Sequence, residues 1–386
     1  MASTAPFRQF IVKVHSRCNL SCDYCYVYEH VDQSWRTRPQ TMSPAIVQAL
    51  AGRIAEHAGR HGLTDVRVVL HGGEPLLAGV DRLDGVVGAI RTALPSGVQA
   101  HFAVQTNGVL LDRAYLDFFL HHGVRIGISL DGGTAVHNAH RRFANGTASL
   151  DRVVRALQLL GSDRYREIYG GILCTIDLAN DPVTVYESLL TFAPPMLHLR
   201  PPHGNWVHPP PGRPPGGPAT PYGEWLIQVF ERWYGARRRE TGIRLFDSII
   251  AMLLGGHSRT DEVGGARTGA TTIETDGSIQ RSDALKSAGD GLDATGLDVV
   301  RHSFDEVLTL PAVQEEQRSL ATLPTPCRDC PVAGICGGGL YAHRYHLTRG
   351  FDQRSVYCPD LYRLIGHIRE RVAGDLRDWL TRTRSA

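Results

Sequence analysis

The sequence predicts an α/β fold built on a parallel sheet, and three observations carry that expectation. Strand-like and helix-like runs alternate through about the first 200 residues. Polar or glycine-rich segments end several of the strand-like runs. The chain, with 386 residues of which 42% are hydrophobic, can bury a barrel-sized core plus a smaller C-terminal module. Strand candidates are 10–14 (FIVKV), 66–70 (VRVVL), 101–105 (HFAVQ), 124–130 (VRIGISL), 168–176 (IYGGILCTI) and 196–200 (MLHLR). Between the first two, Ser43 fits an N-cap and Pro44 the first helical position, ahead of Ile46, Val47, Leu50, Ile54 and Ala58 at helical spacing. Further helices are expected at 112–121, 149–160 and 181–192. Successive β/α units of this kind put an active site at the C-terminal ends of the strands. After His203–Trp206, the stretch HPPPGRPPGGPATP (208–221) cannot hold regular structure and reads as a linker or a loop on the substrate side. Helices at 223–240 and 245–254 follow, then a hairpin over 271–281 turning at Asp276-Gly277. A last helix near 360–380 carries Leu361, Leu364, Ile365, Ile368, Val372 and Leu376 on one stripe. This divides the chain into a barrel (1–207), a loop with bridging helices (208–255) and a C-terminal module (256–386).

Charge excludes several classes. With 41 basic and 39 acidic residues the net charge is +2, so no basic excess points to nucleic acid. No apolar run reaches membrane-spanning length, and MASTAPFRQF lacks the apolar core of a secretion signal. The eight cysteines then fit cluster ligation in a reducing cytoplasm better than a disulfide framework.

Cys18, Cys22 and Cys25 form C-x3-C-x2-C directly after the first strand. Three thiolates from one tight loop can ligate three corners of a cubane iron–sulfur cluster, leaving the fourth iron free to bind a substrate. The competing expectation is a zinc site completed by His15 or His30. His71-Gly72-Gly73-Glu74-Pro75 ends the second strand, and its glycines let backbone carbonyls approach an ammonium group. Gln105-Thr106-Asn107-Gly108 and Ser129-Leu130-Asp131-Gly132 end the third and fourth strands. A second cysteine group, Cys327, Cys330, Cys336 and Cys358, has a spacing that also suits structural zinc. Cys174 reads as a buried strand thiol.

Together these motifs resemble the radical S-adenosylmethionine (SAM) enzymes. The resemblance implies a partial (β/α)6 TIM-type barrel with Cys18, Cys22 and Cys25 on a 4Fe–4S cluster that cleaves SAM. It further implies that Tyr24 packs against adenine, Gly72, Gly73 and Glu74 bind the methionine amino group, and Arg141 pairs with the methionine carboxylate. Asn107, Ser129 and Asp131 would lie near the ribose.

The C-terminal cysteines are similar to the SPASM extension, a SPASM-like iron–sulfur module that in full form has seven cysteines and two auxiliary clusters. Here Gly277 stands at the pattern's glycine, but Ser282 and Leu340 replace ligands of the inner cluster. Two clusters in all are therefore expected, with open space for a peptide where the inner one would sit. The stretches VHSRCNLSCDYCYVYEHVDQSW, RLFDSI, IETDGSIQRSDALK and CGGGLYAHRYHLTRGFDQRSVYCPDL resemble the FxsB-type radical SAM/SPASM peptide maturases. That implies a precursor peptide substrate, a flavodoxin or ferredoxin as electron donor, and a cyclophane crosslink from an aromatic ring to the β-carbon two residues later. With 17 residues ahead of Cys18, leader recognition would fall to the barrel mouth and the module. Formylglycine formation and epimerisation are alternatives on the same scaffold, and a zinc-stabilised interaction protein is the non-enzymatic one. Asp283 is the candidate base, with Glu274 in reserve, because formylglycine-forming relatives place an aspartate just after the cluster cysteine. A salt bridge from Asp283 to Lys286 is its structural alternative. His203, Asn205 and Trp206 are expected to face the substrate.

Overall fold

The computed structural model describes residues 5–214, 216–265, 269–317 and 323–384. The first strand, β1 (Gln9–His15), leads into helix α1 (Pro44–Arg60) and strand β2 (Asp65–Gly72). The alternation continues through α2 (Val80–Ala93), β3 (Gln99–Thr106), α3 (Arg113–His121), β4 (Arg125–Ser129), α4 (Leu150–Leu160), β5 (Tyr169–Thr175), α5 (Pro182–Leu190) and β6 (Met196–Arg200). Each strand from β1 to β6 pairs in parallel with the next, so their C-terminal ends share one rim. Ser43 caps α1 through Ile46 N at 3.3 Å, with Pro44 at its first turn. That helix buries Leu50 and Ile54 fully against the sheet, about 2 kcal/mol of transfer free energy each.

Helix α2 lies outside the sequence expectation although Leu83, Val86, Val87 and Ile90 are buried at helical spacing. It starts at Gly79 with no side-chain cap, and Gly85 and Gly88 lower its helical propensity. Helix α6 (Pro221–Tyr234) stops at Gly235, short of the expected 240, where the charged run ARRRE begins. It is followed by β7 (Gly242–Ile243) and α7 (Arg244–Leu253).

The hairpin β8 (Ala270–Ile273) and β9 (Ser278–Gln280) does not stand apart from the barrel. Strand β8 pairs in parallel with β1, and β10 (Ala294–Asp298) extends the hairpin on the other side. One ten-stranded sheet results, ordered β10-β9-β8-β1-β2-β3-β4-β5-β6-β7, which runs through the expected boundaries at 207 and 255. This brings residues after β9 beside the C-terminal ends of β1 and β2.

Helix α8 (Phe304–Thr309) begins with a capping box from Ser303 and Glu306. The C-terminal helix Cys358–Arg384 packs on α6. It buries Leu364, Ile365, Ile368 and Val372, whereas Leu376 is exposed, so the apolar stripe leaves the core one turn earlier than its spacing predicts. The proline-rich stretch is anchored there too. Arg213 is buried and binds Val356 O at 2.8 Å and Asp360 Oδ2 at 2.9 Å, while Asp360 also accepts Tyr222 N and Gly223 N at 3.0 Å each. Pro215 lies outside the described residues.

Candidate functional site

The loop after β1 is stitched to the end of β2. Gly73 N donates to His15 O at 2.9 Å and Glu74 N to Arg17 O at 3.0 Å. A Cβ on Gly73 would meet Tyr28 Oη at 1.8 Å, and one on Gly72 would meet His15 O at 2.2 Å. Both glycines are therefore needed for the strand end to back onto the cysteine loop. That packing requirement was not part of the sequence argument.

The result is a cavity of about 230 Å³ with Cys18, Cys22 and Cys25 on one wall. Opposite stand Gly72, Gly73, Asn107, Ser129 and Arg141, with Tyr24 beside them. Arg141 is the arginine of its pair that reaches this cavity, donating to Tyr24 Oη at 2.8 Å; Arg142 is turned to Ala139 O. Ser129 Oγ accepts from Gln105 Nε2 at 2.9 Å and keeps its own proton to donate.

Two expected contact residues are already occupied. Glu74 Oε1 accepts from Thr106 Oγ1 at 2.6 Å and Leu76 N at 3.0 Å, and Oε2 accepts from Asn107 N at 2.7 Å. Asp131 accepts Tyr24 Oη at 2.6 Å and Thr175 N at 3.0 Å. Neither lines the cysteine cavity; both hold residues that do.

The three thiols fit a bound cluster. Among the described residues, no three cysteine sulfurs gather within 4.8 Å of one another. A single tetrahedral zinc needs its sulfurs roughly 3.8 Å apart, from Zn–S bonds near 2.3 Å, so the wider spacing suits a cubane. Burial pushes Cys18 up to about 12 and Cys22 up to about 11, so thiolates here need the positive charge that bound iron provides. Asn107 Nδ2 lies 3.7 Å from Cys18 Sγ.

The C-terminal cysteines also converge. Cys358 feels the charges of Cys327 and Cys330, and Cys336 those of Cys358 and Cys327; burial raises Cys336 to about 12. Arg344 folds the Gly337–Gly339 turn beside them, donating to all three carbonyls. Cys174 is fully buried in β5.

The surroundings of Asp283 differ from the sequence expectation of open space. Asp283 starts a 3-10 turn rather than ending a strand, and its Oδ2 takes Lys13 Nζ at 2.7 Å and Tyr26 Oη at 2.6 Å. Its ion-pair partner is thus Lys13, not Lys286. Lys286 Nζ instead faces Asp293 at 2.7 Å, Glu274 at 3.3 Å and Asp32 at 3.6 Å. The void between these groups is only about 10 Å³, because the charge-paired side chains fill it. Against the upward push of burial, Lys13, Lys286 and His71 hold Asp283 well below the usual carboxylate range. Tyr26 lines the cysteine cavity and stacks edge-on with His203 at 4.6 Å, which connects Asp283 to that cavity through one hydroxyl.

Of the three residues expected to face substrate after β6, His203 lines the cavity. Asn205 is fully buried, binding Ser287 O, Val207 N and His208 N, and Trp206 donates to Arg354 O at 2.6 Å. Sequence reasoning missed Tyr26, Gln105 and Arg200, all on the cavity wall. Tyr26 sits one residue past Cys25, and Gln105 and Arg200 are polar residues ending parallel strands, which is the signal that could have found them.

The profile of the Radical SAM superfamily matches residues 12–176, the segment that carries this cavity's strands and cysteines. The chain thus contains a radical SAM domain, which implies a 4Fe–4S cluster and SAM. Over its length it is similar to the serine-type anaerobic sulfatase-maturating enzyme of Klebsiella aerogenes, at 25% identity across 95% of this chain and 86% of that protein. It is likewise similar to the cysteine-type enzyme of Clostridium perfringens (strain 13 / Type A), at 23% identity across 92% and 94%. The fold matches AdoMet-bound anSMEcpe with a TM-score of 0.79 at 21% identity, covering 95% of this chain and 98% of that one. It also matches Streptococcus suis SuiB, with a TM-score of 0.59 at 12% identity, covering 91% and 76%.

Proposed function

We propose that this protein is a radical SAM oxidase of a peptide or protein side chain, converting a serine or cysteine to formylglycine. The observation that carries the reading is Asp283 joined to the cysteine cavity by Tyr26, in a chain similar along its whole length to sulfatase-maturating enzymes. When bound, the SAM cluster supplies a 5′-deoxyadenosyl radical that takes a hydrogen atom from the substrate β-carbon. Gly72, Gly73 and Arg141 orient the methionine end, with Glu74 and Asp131 fixing the backbone and Tyr24 around it. Asn107 and Ser129 face the ribose. Asp283, through Tyr26, accepts the proton that leaves the substrate hydroxyl, while the released electron passes to an acceptor. Glu274 faces Lys286 and tunes the charge behind Asp283. Cys327, Cys330, Cys336 and Cys358 hold one auxiliary 4Fe–4S cluster, making two in all, in a SPASM-like module.

The partners of this reading are a peptide substrate and a ferredoxin or flavodoxin donor, in a reducing cytoplasm. Relatives of the same fold bind peptides: anSMEcpe the Kp18Cys peptide and SuiB its precursor peptide SuiA. No helix among the described residues is long and apolar enough to cross a membrane.

One observation favours a second reading. Ser282 and Leu340 replace inner-cluster ligands, and the FxsB-type stretches accompany them, so cyclophane formation remains on the same cavity. Anaerobically reconstituted enzyme, given SAM, reductant and a serine peptide, separates the two. A product two hydrogens lighter that reacts with hydrazine supports formylglycine. A hydrazine-silent product that resists fragmentation between an aromatic and the third residue transfers the assignment to the crosslink. A mass-neutral product moves it to epimerisation, and no 5′-deoxyadenosine at all removes every radical SAM reading.

A further inference from the structure

Away from the cysteine cavity, helix α1 presents His57 and His61 one turn apart, and α8 brings Asp305 between them. His57 Nδ1 lies 3.1 Å from Asp305 Oδ1, and His61 Nε2 lies 2.6 Å from the same oxygen. The three ligand atoms all fall within 4.8 Å of one another. Two imidazoles at i and i+4 on one helix face are a chelating pair, and a carboxylate from a second element completes a facial set of three.

The surroundings support ligation. His57 is 1% exposed and wedged among Phe7, Phe10 and Phe304, with ring centroids 5.8–6.2 Å away, so its orientation is fixed. Its Nε2 is buried without a hydrogen-bond partner, with the Phe7 backbone beside it. A ring bound through Nδ1 carries its proton on Nε2, next to that backbone acceptor, which is the second contact a ligating histidine needs. Arg60 Nη1 holds Asp305 Oδ2 at 2.8 Å, leaving Oδ1 to face the two rings. His61 is 29% exposed, so water can reach a fourth position and an ion can enter.

We propose that His57, His61 and Asp305 form a binding site for a zinc-class divalent ion, which clamps the barrel helix α1 to α8 of the C-terminal part. Two nitrogens, one carboxylate oxygen and a water suit tetrahedral zinc, and the iron of a sulfur-ligated cluster has no affinity advantage there. The site stands apart from the SAM cavity, so it is independent of the reaction assigned above.

The test uses untagged, reconstituted holoenzyme incubated with Zn²⁺ and desalted. Wild type retains one more zinc per chain than His61→Gln or Asp305→Asn, with iron content equal in all three. Zinc raises the melting temperature of wild type only. Equal zinc in wild type and variants, or no zinc retained by wild type, overturns the site. X-ray absorption at the zinc edge reads wild type alone, so the result stands even if a variant misfolds. A nitrogen/oxygen shell with imidazole scattering supports the site, and a sulfur shell overturns it by placing the zinc on cysteines.

Discussion

Glu74 and Asp283 are both buried carboxylates behind the same cavity, yet their charges are met in opposite ways. Glu74 is surrounded by neutral donors, one hydroxyl and two backbone amides, and burial raises its pKa. Asp283 is met by the ammonium of Lys13 and the hydroxyl of Tyr26, and despite burial it is held strongly ionised. Neutral donors in fixed positions define a turn, so Glu74 shapes the β2 end. An ion pair with one hydroxyl leading to a cavity defines a place where protons can arrive, so Asp283 has a route to chemistry that Glu74 lacks.

Both carboxylates are subordinate to the thiols, and removing the thiols gives the largest effect. Replacing Cys18, Cys22 and Cys25 together by alanine is expected to abolish 5′-deoxyadenosine formation and to lower iron from about 8 to about 4 per chain, four per cubane. Iron near 12 in the parent would mean that other side chains rescue the inner cluster.

Asp283→Asn is the next largest and tests the comparison directly. Product formation should fall about 10²–10⁴-fold while SAM cleavage with bound peptide persists. The change also leaves Lys13 without its counter-charge, so the double variant with Lys13→Met serves as the neutral control. If the double variant keeps its iron and regains wild-type product formation, Asp283 is a charge partner and not a base.

Lys286→Met comes third and acts on stability. It leaves Asp293, Glu274 and Asp32 buried without their shared cation, a loss of about 3–5 kcal/mol read as a lower denaturation midpoint. An unchanged midpoint would mean that water, not protein charge, fills the space near Ser282. Glu74→Gln is smaller. One amide nitrogen then faces a donor, costing about 1–3 kcal/mol and weakening SAM binding without selectively affecting product release from bound substrate.

Much of this was legible in the sequence because it is local. The strands at the barrel are β-branched runs, and the cysteine loop, the GGEP turn and the strand-end motifs are short segments whose spacing carries their chemistry. What was not legible depends on pairing across the chain. Lys13 and Asp283 are 270 positions apart, and nothing in FIVKV marks its lysine as an inward-facing counter-ion. The same holds for Arg200 with Glu262 at 3.1 Å, a pair made only once β6 and the segment before β8 are brought together. The vacated cluster space was misjudged for this reason: ligand loss is visible in sequence, but the charges that refill the volume are not.

The smallest effect is a pH dependence carried by the buried imidazoles on this side of the molecule. Burial pulls His71 down to about 4 and His343 down to about 3, from an ordinary value near 6.5. The folded protein therefore binds fewer protons than the unfolded chain between those values, and ∂ΔG/∂pH is positive there. Above pH 6.5 both states are neutral at these positions and stability is at its plateau. As pH falls from 6.5 toward 4, the unfolded chain takes up protons that the folded one refuses, and stability drops. Paired carboxylates such as Asp283 add their own loss only at lower pH, because their folded values lie below the unfolded ones. His343 stands 3.3 Å from His203 and makes no ion pair, so His343→Gln removes one such group with little else disturbed. Melting temperatures of apo protein across pH 7 to 4 should fall less steeply for this variant than for wild type. Parallel curves would mean that His343 already takes up its proton in the folded state.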